Sequence, residues 1–325
     1  MKFIFDNFRK KPFKIFYNTF VPHKTRKQWD YNYDEIPTQD AVAKFWQTTL
    51  DDYEKGKISS YEVIVNRPDL VGKKIIWQYW AQGIENAPDF VKFCFSSVER
   101  YKGDYEVIRI TDNTLEDYLI FPEFVKQKRL TKVFKPVFFS DLLRVSLIKN
   151  YGGVWLDASV VLTDYLPSQF TQQSFFMFSR DSNSKNKEWG LKADKCYFNW
   201  DDQFKVRYLS SILFGTPHSK VSQYLQDLLL YFWEKQETIP HYFFYQILIN
   251  ELKQGKWVEF EYPIIDDTFP HLMQFDMNKT FNPVRFDEIL KSSSLHKLSY
   301  HKQLLENDKN GSPTFYGYLK NQFFK

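Results

Sequence analysis

The stretch that decides the fold of this chain is PVFFSDLLRVSLIKNYGGVWLD, residues 136–157. A proline in the first turn and a glycine just after the last turn bound a run of apolar residues, and this pattern predicts a helix over Pro136–Tyr151. The short apolar run Val154–Leu156 then predicts a buried strand. Because Asp157 stands at the carboxyl end of that strand, where open α/β sheets bind their ligands, the stretch also predicts a functional site.

The alternation of helices and strands continues on both sides of this stretch. In chain order, the other predicted elements are a helix over Thr38–Tyr53, a strand over Lys73–Tyr79, a helix over Pro88–Tyr101, a strand over Tyr105–Ile110, short helices near Asp112 and Pro122, strands over Phe175–Phe178 and Ile212–Phe214, and helices over Ser219–Lys235 and Pro240–Leu252. Such alternation implies an α/β fold whose sheet is at least partly parallel. We expect a main domain over residues 71–325, preceded by a basic and aromatic helical extension over residues 1–70.

The composition is that of a globular protein. Of the 325 residues, 43% are hydrophobic, 26% are charged and 19% are aromatic. The two cysteines, Cys94 and Cys196, lack the paired spacing of a disulfide scaffold or a structural zinc site, which fits a reducing compartment. No apolar stretch approaches the roughly 20 residues that span a bilayer, and no signal peptide is evident. We therefore expect a cytoplasmic protein.

Positive charge is concentrated near the N-terminus. Residues 1–30 hold eight Lys or Arg and two Asp, whereas the whole chain has a net charge of only +4. The remainder is therefore mildly acidic, and nucleic acid is not an expected partner. Residues 1–20 interleave the basic residues with Phe and Ile, which suits peripheral contact with an anionic membrane. The alternative is a helix whose Phe side chains pack on the body of the protein.

Two charged residues precede Asp157 on the predicted helix. Asp141 and Arg144 are three positions apart, so their side chains share one helix face. Taken alone, they could be an ordinary surface ion pair. Together with Asp157 they predict a charged site, because a carboxylate at a strand end can hold a divalent cation against two phosphates. Such a cation stabilises the charge that develops on a diphosphate leaving group.

Two further segments contain candidate ligand-binding residues. In Ile75–Trp80 (IIWQYW), Trp77 could stack on a planar base or could belong to the core. In Leu295–Lys302 (LHKLSYHK), clustered His and Lys side chains could bind phosphates or could form an ordinary solvated stretch. The chain lacks the GxGxxG spacing and Walker lysine of nucleotide-binding loops, and it has no GxSxG or HExxH motif.

These segments together resemble a known family. IIWQYWAQG at residues 75–83, FFSDLLRVSLIKNYGGVWLDASVVLTDYLP at residues 138–167 and LHKLSY at residues 295–300 are similar to the capsular polysaccharide synthesis glycosyltransferases. The similarity extends more distantly to the fungal initiating mannosyltransferases and the large clostridial glucosylating toxins. It covers roughly residues 70–300 and implies a GT-A-type, Rossmann-like fold with a mixed, mostly parallel sheet, added N-terminal helices and a nucleotide-sugar donor.

The resemblance also implies roles for individual residues. Trp77 would stack on the donor base, Asp141 and Arg144 would contact the ribose and the donor sugar, and His296 and Lys297 would close over the diphosphate. Gly153, beside them in the family's main motif, would be a further donor-binding position. The donor-binding set is therefore Trp77, Asp141, Arg144, Gly153, His296 and Lys297.

The catalytic and metal-binding assignment rests on the family's Asp-x-Asp motif. It reads Asp157-Ala158-Ser159 here, a form that the capsular subgroup often shows. The resemblance implies that Asp157 is catalytic and that Asp157 and Ser159 hold Mn²⁺ or Mg²⁺. Because a serine hydroxyl is a neutral and weaker ligand than a carboxylate, we expect lower metal affinity or a dispensable metal.

The resulting prediction is a hexosyltransferase of capsular or exopolysaccharide synthesis. It would move a sugar from a nucleotide sugar, with UDP favoured and with retention, to a glycan or lipid-linked acceptor at the cytoplasmic face of the membrane. The alternative is a degenerate relative that binds a nucleotide sugar or glycan without turnover. No catalytic base or nucleophile stands out: Asp194, Asp201 and Asp202 fall in the region expected to face the acceptor, but they read more simply as loop acids.

Overall fold

A computed structural model describes residues 13–131, 133–260, 263–299 and 303–323, and all structural statements concern these residues. The strands are β1 (Ile64–Val65), β2 (Ile75–Tyr79), β3 (Glu106–Ile110), β4 (Leu119–Ile120), β5 (Gly153–Leu156), β6 (Val160–Leu162), β7 (Phe175–Ser179), β8 (Tyr208–Gly215) and β9 (Leu295–Lys297). The α-helices are α1 (Phe13–Phe20), α2 (His23–Asp30), α3 (Ile36–Glu54), α4 (Asp89–Tyr101), α5 (Glu123–Arg129), α6 (Pro136–Tyr151), α7 (Ser168–Thr171), α8 (Lys187–Ala193), α9 (Lys220–Lys235), α10 (Phe244–Gln254), α11 (Pro283–Ser292) and α12 (Phe315–Phe323).

The central sheet has the strand order β3-β2-β5-β8-β7. Strands β3, β2 and β5 are mutually parallel, whereas β8 pairs antiparallel with both β5 and β7. It follows that β7 runs in the direction of the first three strands, and β8 alone runs against them among the described strands of this sheet. The prediction of an α/β fold with a mixed, mostly parallel sheet and N-terminal helices is confirmed.

The helix that opens the fold-deciding stretch has the predicted bounds, Pro136–Tyr151. It packs on the sheet and against α9, so it is buried on most sides. The chain then turns sharply into β5 at two glycines with positive φ, Gly152 at 77° and Gly153 at 99°. A Cβ atom on Gly153 would lie 2.4 Å from the carbonyl oxygen of Ile75. Glycine is therefore required where β5 lies against β2.

A second sheet, of two strands, places the C-terminal strand β9 close to the end of β5. After Asp157 the chain forms β6, which pairs antiparallel with β9. The register places Val160 opposite Lys297 and Val161 opposite His296. This pairing brings residues 295–297, remote in sequence, beside the turn that follows β5.

The N-terminal helices pack on the body of the protein through α3. Trp46 is fully buried, donates a hydrogen bond from Nε1 to the carbonyl oxygen of Phe244 at 2.9 Å, and packs against Phe232. Helix α1 instead leaves Phe13, Ile15 and Phe20 largely exposed. The rest of the predicted membrane arm, residues 1–12, lies outside the described residues. The division of the chain at residue 70 stays a prediction.

Sequence patterns located the long elements better than the short ones. The predicted short helix near Asp112 is a 3-10 turn at Leu115–Asp117, and β8 extends further than the predicted strand. Strands β6 and β9 were not predicted, because three-residue strands are too short for a periodic signal. Among the described residues, no helix combines the length and the apolar character needed to cross a bilayer.

Candidate active site

A cavity of about 530 Å³ lies beyond the carboxyl ends of β2 and β5, where α/β sheets bind ligands. Its walls come from the chain after β2, the first turns of α6, the turn after β5, the start of β8, the start of α10 and β9. The lining residues are Tyr79–Gln82, Pro136–Phe138, Ser140, Asp141, Arg144, Trp155, Asp157–Ser159, Tyr197, Leu209–Ser211, Tyr242, Phe243, Gln246, His271 and Lys297.

A buried arginine joins the two predicted acids in this cavity. Arg144 donates from Nη1 to Asp141 Oδ1 at 2.7 Å and from Nη2 to Asp157 Oδ1 at 3.2 Å. Its Nη2 also donates to the hydroxyl of Ser140 at 3.0 Å. The side chain of Arg144 is only 4% exposed, so the pair with Asp141 is not a surface ion pair. The guanidinium of Arg144 thus connects α6 to Asp157 at the end of β5.

The two acids have opposite pKa shifts. Burial raises the pKa of Asp141 to about 7, although the charge of Arg144 acts in the other direction. Burial would also raise the pKa of Asp157, but the charges of Arg144 and Lys297 outweigh it and lower that pKa below its ordinary value. Asp157 is therefore the ionised acid of the site at neutral pH.

Lys297 lies at the two oxygens of the Asp157-Ala158-Ser159 motif. Its Nζ donates to Ser159 Oγ at 2.5 Å and lies 3.4 Å from Asp157 Oδ2. The remaining oxygen of Asp157, Oδ1, accepts a hydrogen bond from Trp155 Nε1 at 2.8 Å in addition to the one from Arg144. Both motif side chains are thus already engaged by side chains of the protein.

Trp77 does not reach the cavity, which corrects its assignment as the base-stacking residue. The ring is fully buried, and its Nε1 donates to the carbonyl oxygen of Gly152 at 2.9 Å. It packs against Tyr118 and Tyr151. The reason is that β2 lies between β3 and β5 and is buried along its whole length. Trp80, just past the strand end, lines the cavity instead.

His296 and Gly153 also lie outside the cavity, which corrects their assignment to donor binding. His296 is fully buried, and its Nε2 lies 2.9 Å from Thr163 Oγ1. Burial lowers its pKa to about 3, so it is not a cation for phosphate. Because neighbouring side chains of a strand point to opposite faces, Lys297 reaches the cavity and His296 does not. Gly153 instead allows β5 to approach β2.

His271 is a cavity residue that the sequence patterns did not indicate. Its Nδ1 donates to the carbonyl oxygen of Asp267 at 2.8 Å, which fixes the tautomer, and burial lowers its pKa to about 4. It therefore presents a neutral imidazole. The supporting turn is held by a buried ion pair in which Arg180 Nε and Nη2 donate to the Asp267 carboxylate at 2.7 and 2.8 Å. No local signal marks His271, since only the packing of its turn against β9 brings it to the site.

The acids expected near the acceptor are loop residues. Asp194 and Asp201 accept hydrogen bonds from nearby backbone N–H groups, those of Cys196 and Gln203. Asp202 is exposed, and none of the three lines the cavity. The simpler interpretation of these acids therefore agrees with the structure.

The residues assigned to a divalent cation do not fit one in this arrangement. Asp157 and Ser159 supply one carboxylate and one hydroxyl, and both already accept hydrogen bonds from protein donors. Mg²⁺ demands near-ideal octahedral oxygen ligation at about 2.0–2.1 Å. Among the described residues, no group of three or more His, Cys, Asp or Glu side chains could hold a metal ion.

Comparison with known proteins finds a family match over most of the chain and a partial similarity to a glycosyltransferase. A family described as capsular polysaccharide synthesis protein matches residues 26–319. The O-glycosyltransferase PaGT of Phomopsis amygdali is 27% identical over 99 residues, which are 28% of this chain and 24% of that protein. The chain thus spans about a quarter of the length of this curated relative.

Two solved glycosyltransferase structures are more distantly similar to this chain. PaToxG glycosyltransferase is 12% identical, with 68% of this chain and 79% of that chain covered at a TM-score of 0.34. The apo-form glycosyltransferase GlyE of Streptococcus pneumoniae TIGR4 is 12% identical, with 78% and 63% covered at a TM-score of 0.37. Since the family match extends over residues 26–319, the chain belongs to the capsular polysaccharide synthesis protein family.

Proposed function

We propose that this protein is a glycosyltransferase that moves a sugar from a nucleotide-sugar donor to a glycan or lipid-linked acceptor of capsular or exopolysaccharide synthesis. The observation that carries the proposal is the cluster of Arg144, Asp157 and Lys297 in a cavity at the carboxyl ends of β2 and β5. Two fixed cations beside an ionised carboxylate suit a donor that carries both a diphosphate and sugar hydroxyls.

Each part of the donor has a counterpart in the cavity. Lys297 would contact the diphosphate, on which negative charge develops as the sugar leaves. Asp141 and Arg144 would contact the ribose and the donor sugar. We assign base stacking to Trp80 and no longer to Trp77, because Trp80 lines the cavity. The cavity is large enough for these groups to bind together.

We propose retention on the strength of the family resemblance, and the cavity bears only on the route by which it would occur. Among the described residues, the carboxylates that line the cavity are Asp141 and Asp157, and both are paired with Arg144. Neither is available as a nucleophile for a covalent intermediate. We therefore propose front-face attack by the acceptor, with UDP-sugars as the donor class on the strength of the family resemblance.

The first experiment is a screen of purified protein against UDP-, GDP-, dTDP- and CMP-sugars, with and without Mn²⁺. A donor that binds the folded state raises the melting temperature. We expect stabilisation and nucleotide release with one nucleotide class. Asp157→Asn should lower release at least 100-fold without loss of folding, whereas the exposed Asp202→Asn should leave it unchanged. Full activity in Asp157→Asn would contradict the catalytic role assigned to this residue.

The screen also separates the enzyme from a non-catalytic relative. A protein that binds a nucleotide sugar or glycan without turnover would show the thermal shift but no nucleotide release with any donor or acceptor. Steady release from one donor, proportional to protein concentration and lost in Asp157→Asn, would exclude that alternative.

We also propose peripheral contact of the N-terminal helix with the cytoplasmic face of the membrane. Helix α1 exposes Phe13, Ile15 and Phe20, at 52%, 70% and 73%, beside the exposed Lys14. Apolar bulk next to basic charge suits an anionic surface. Sedimentation with vesicles that contain phosphatidylglycerol should fall in a protein with Ile15→Asn and Phe20→Asn. The same change at Val284, which is 70% exposed on α11, is the control. Equal sedimentation of all three proteins would contradict the contact.

A further inference from the structure

The position that the Asp157-Ala158-Ser159 motif would offer to a metal ion is taken by an ammonium group. Lys297 Nζ lies 2.5 Å from Ser159 Oγ and 3.4 Å from Asp157 Oδ2. A divalent cation bound to the same two oxygens at about 2.1 Å would have to occupy the space of Nζ. The ammonium and a metal are therefore mutually exclusive at this site.

The fold, and not a flexible surface side chain, sets the position of Lys297. The pairing of β6 with β9 places Lys297 opposite Val160, one residue after Ser159. The backbone N–H of Leu298 then donates to the carbonyl oxygen of Ser159 at 3.0 Å. Only 25% of the Lys297 side chain is exposed. The ammonium group of Lys297 is thus positioned both by the backbone pairing next to it and by the contacts of its own Nζ with Ser159 and Asp157.

A second basic side chain, that of Arg144, also pairs with Asp157. Arg144 binds Asp157 Oδ1 and Lys297 lies beside Oδ2, so one carboxylate pairs with two basic side chains that line the cavity. A serine at the third motif position fits this arrangement. A second carboxylate there would bind Lys297 directly and reduce the positive charge left for a phosphate.

We propose that Lys297, held by Ser159 and Asp157 and assisted by Arg144, replaces the divalent cation of this site, so that the protein binds and activates a nucleoside diphosphate sugar without a metal. This inference rests on the proposed glycosyltransferase function. In the reaction, the bond between the anomeric carbon and the diphosphate oxygen breaks, and its electron pair leaves with the diphosphate beside Lys297. The acceptor oxygen bonds to the anomeric carbon and passes its proton to the departing diphosphate.

The first test measures metal dependence directly. The full chain is treated with EDTA and desalted, and nucleotide release from the donor found in the screen is measured with EDTA or with 5 mM Mn²⁺, a concentration chosen on the order of millimolar so that even weak sites fill. We expect the two rates to agree within about twofold. A tenfold or larger loss in EDTA that Mn²⁺ restores would overturn the inference.

The second test uses metal binding as a readout that does not depend on activity. Electron paramagnetic resonance reports free Mn²⁺ in the presence of protein and UDP. We expect no stoichiometric binding by the natural protein and one Mn²⁺ bound by a double variant, Lys297→Met with Ser159→Asp, in which the ammonium is removed and a second carboxylate is restored. One Mn²⁺ bound by the natural protein and lost in Asp157→Asn would contradict the proposal.

Single variants complete the design. Lys297→Met should weaken UDP binding at least tenfold, Lys297→Arg should recover part of the loss, and Lys291→Met, a change of an exposed lysine on α11, should have no effect. Unchanged UDP binding in Lys297→Met would overturn the inference. If no nucleotide binds and no donor is turned over with or without metal, the proposed function itself fails. Release that requires Mn²⁺ leaves that function standing and removes only the metal-free inference.

Discussion

Two tryptophans that stand three positions apart show how strongly the surroundings decide the role of a residue. Trp77 is enclosed between neighbouring strands and bonded to the Gly152 carbonyl oxygen, whereas Trp80 lies past the strand end and lines the cavity. The sequence IIWQYW led to Trp77 as the base-stacking residue, although Trp80 has the same chemistry. What separates them is whether a face of the ring remains accessible.

The same substitution at these two positions should therefore have different effects. Trp77→Leu should lower the free energy of unfolding by about 3 kcal/mol, because it leaves a cavity and an unpaired carbonyl group in the core. Trp80→Leu should cost little stability but weaken UDP binding by roughly tenfold, since base stacking contributes about 1–3 kcal/mol. Urea unfolding and calorimetric titration measure the two quantities. A stable Trp77→Leu protein that no longer binds UDP would reverse the assignment.

At the scale of elements, the contact of β5 with β2 depends on a residue without a side chain. Gly153 has a φ of 99°, and a Cβ atom there would lie 2.4 Å from the Ile75 carbonyl oxygen. Since Asp157 stands at the end of β5, any displacement of this strand also moves the site. The glycine pair in the sequence marks a turn, but only the neighbouring strand shows why the second glycine is needed.

We therefore expect Gly153→Ala to destabilise the protein strongly. The combined cost of positive φ and of contact with backbone should be about 3 kcal/mol or more. Gly56→Ala is the matched control, because Gly56 also has a positive φ, 69°, but has nothing within 4 Å of the added Cβ. It should cost only about 1 kcal/mol. Equal midpoints of urea unfolding for the two variants would refute the role of close strand contact.

At the scale of the whole molecule, α3 joins the N-terminal region to the rest of the core. Trp46 is buried against Phe232 and Phe244, which belong to α9 and α10. Trp46→Ala should lower the free energy of global unfolding by about 3–5 kcal/mol. Urea unfolding followed by far-ultraviolet circular dichroism checks this. Local loss of helix with an unchanged main transition would show instead that α3 unfolds independently of the sheet.

The stability of the whole molecule should also depend on pH through two buried histidines. Burial lowers the pKa of His296 to about 3 and that of His271 to about 4. In the unfolded chain the pKa of His is about 6.5, so the unfolded state binds more protons between pH 6.5 and 4. The contribution of the two histidines to stability is therefore full above pH 6.5 and falls as the pH drops. Asp141 acts in the opposite direction, because burial raises its pKa to about 7, but it offsets only one of the two histidines.

The corresponding experiment compares how steeply the free energy of unfolding changes with pH in different variants, and not their absolute stabilities. Urea unfolding at pH 6.5, 5.5 and 4.5 should give a free energy that falls with decreasing pH in the natural protein. His296→Asn should reduce this slope by up to about 1.4 kcal/mol per pH unit. His23→Asn, a change of an exposed histidine on α2, should leave it unchanged. An unaltered slope in His296→Asn would contradict the burial of a neutral imidazole.

The sequence by itself determined the bounds of α6, the strand that follows it, the fold class and the position of Asp157 at a strand end. These features depend on local period and on capping residues, which act within a few residues of one another. It also determined the family, through motifs distributed along the chain.

Only the tertiary structure decided which neighbours of the motifs reach the cavity. The choice between His296 and Lys297 depends on the register of β9 against β6, and a shift of one residue would reverse it. The meeting of Lys297 with Ser159 joins positions 138 residues apart, and His271 enters the cavity only because its turn packs against β9. Such contacts depend on how distant segments pack together, and that packing leaves no periodic signal in the sequence.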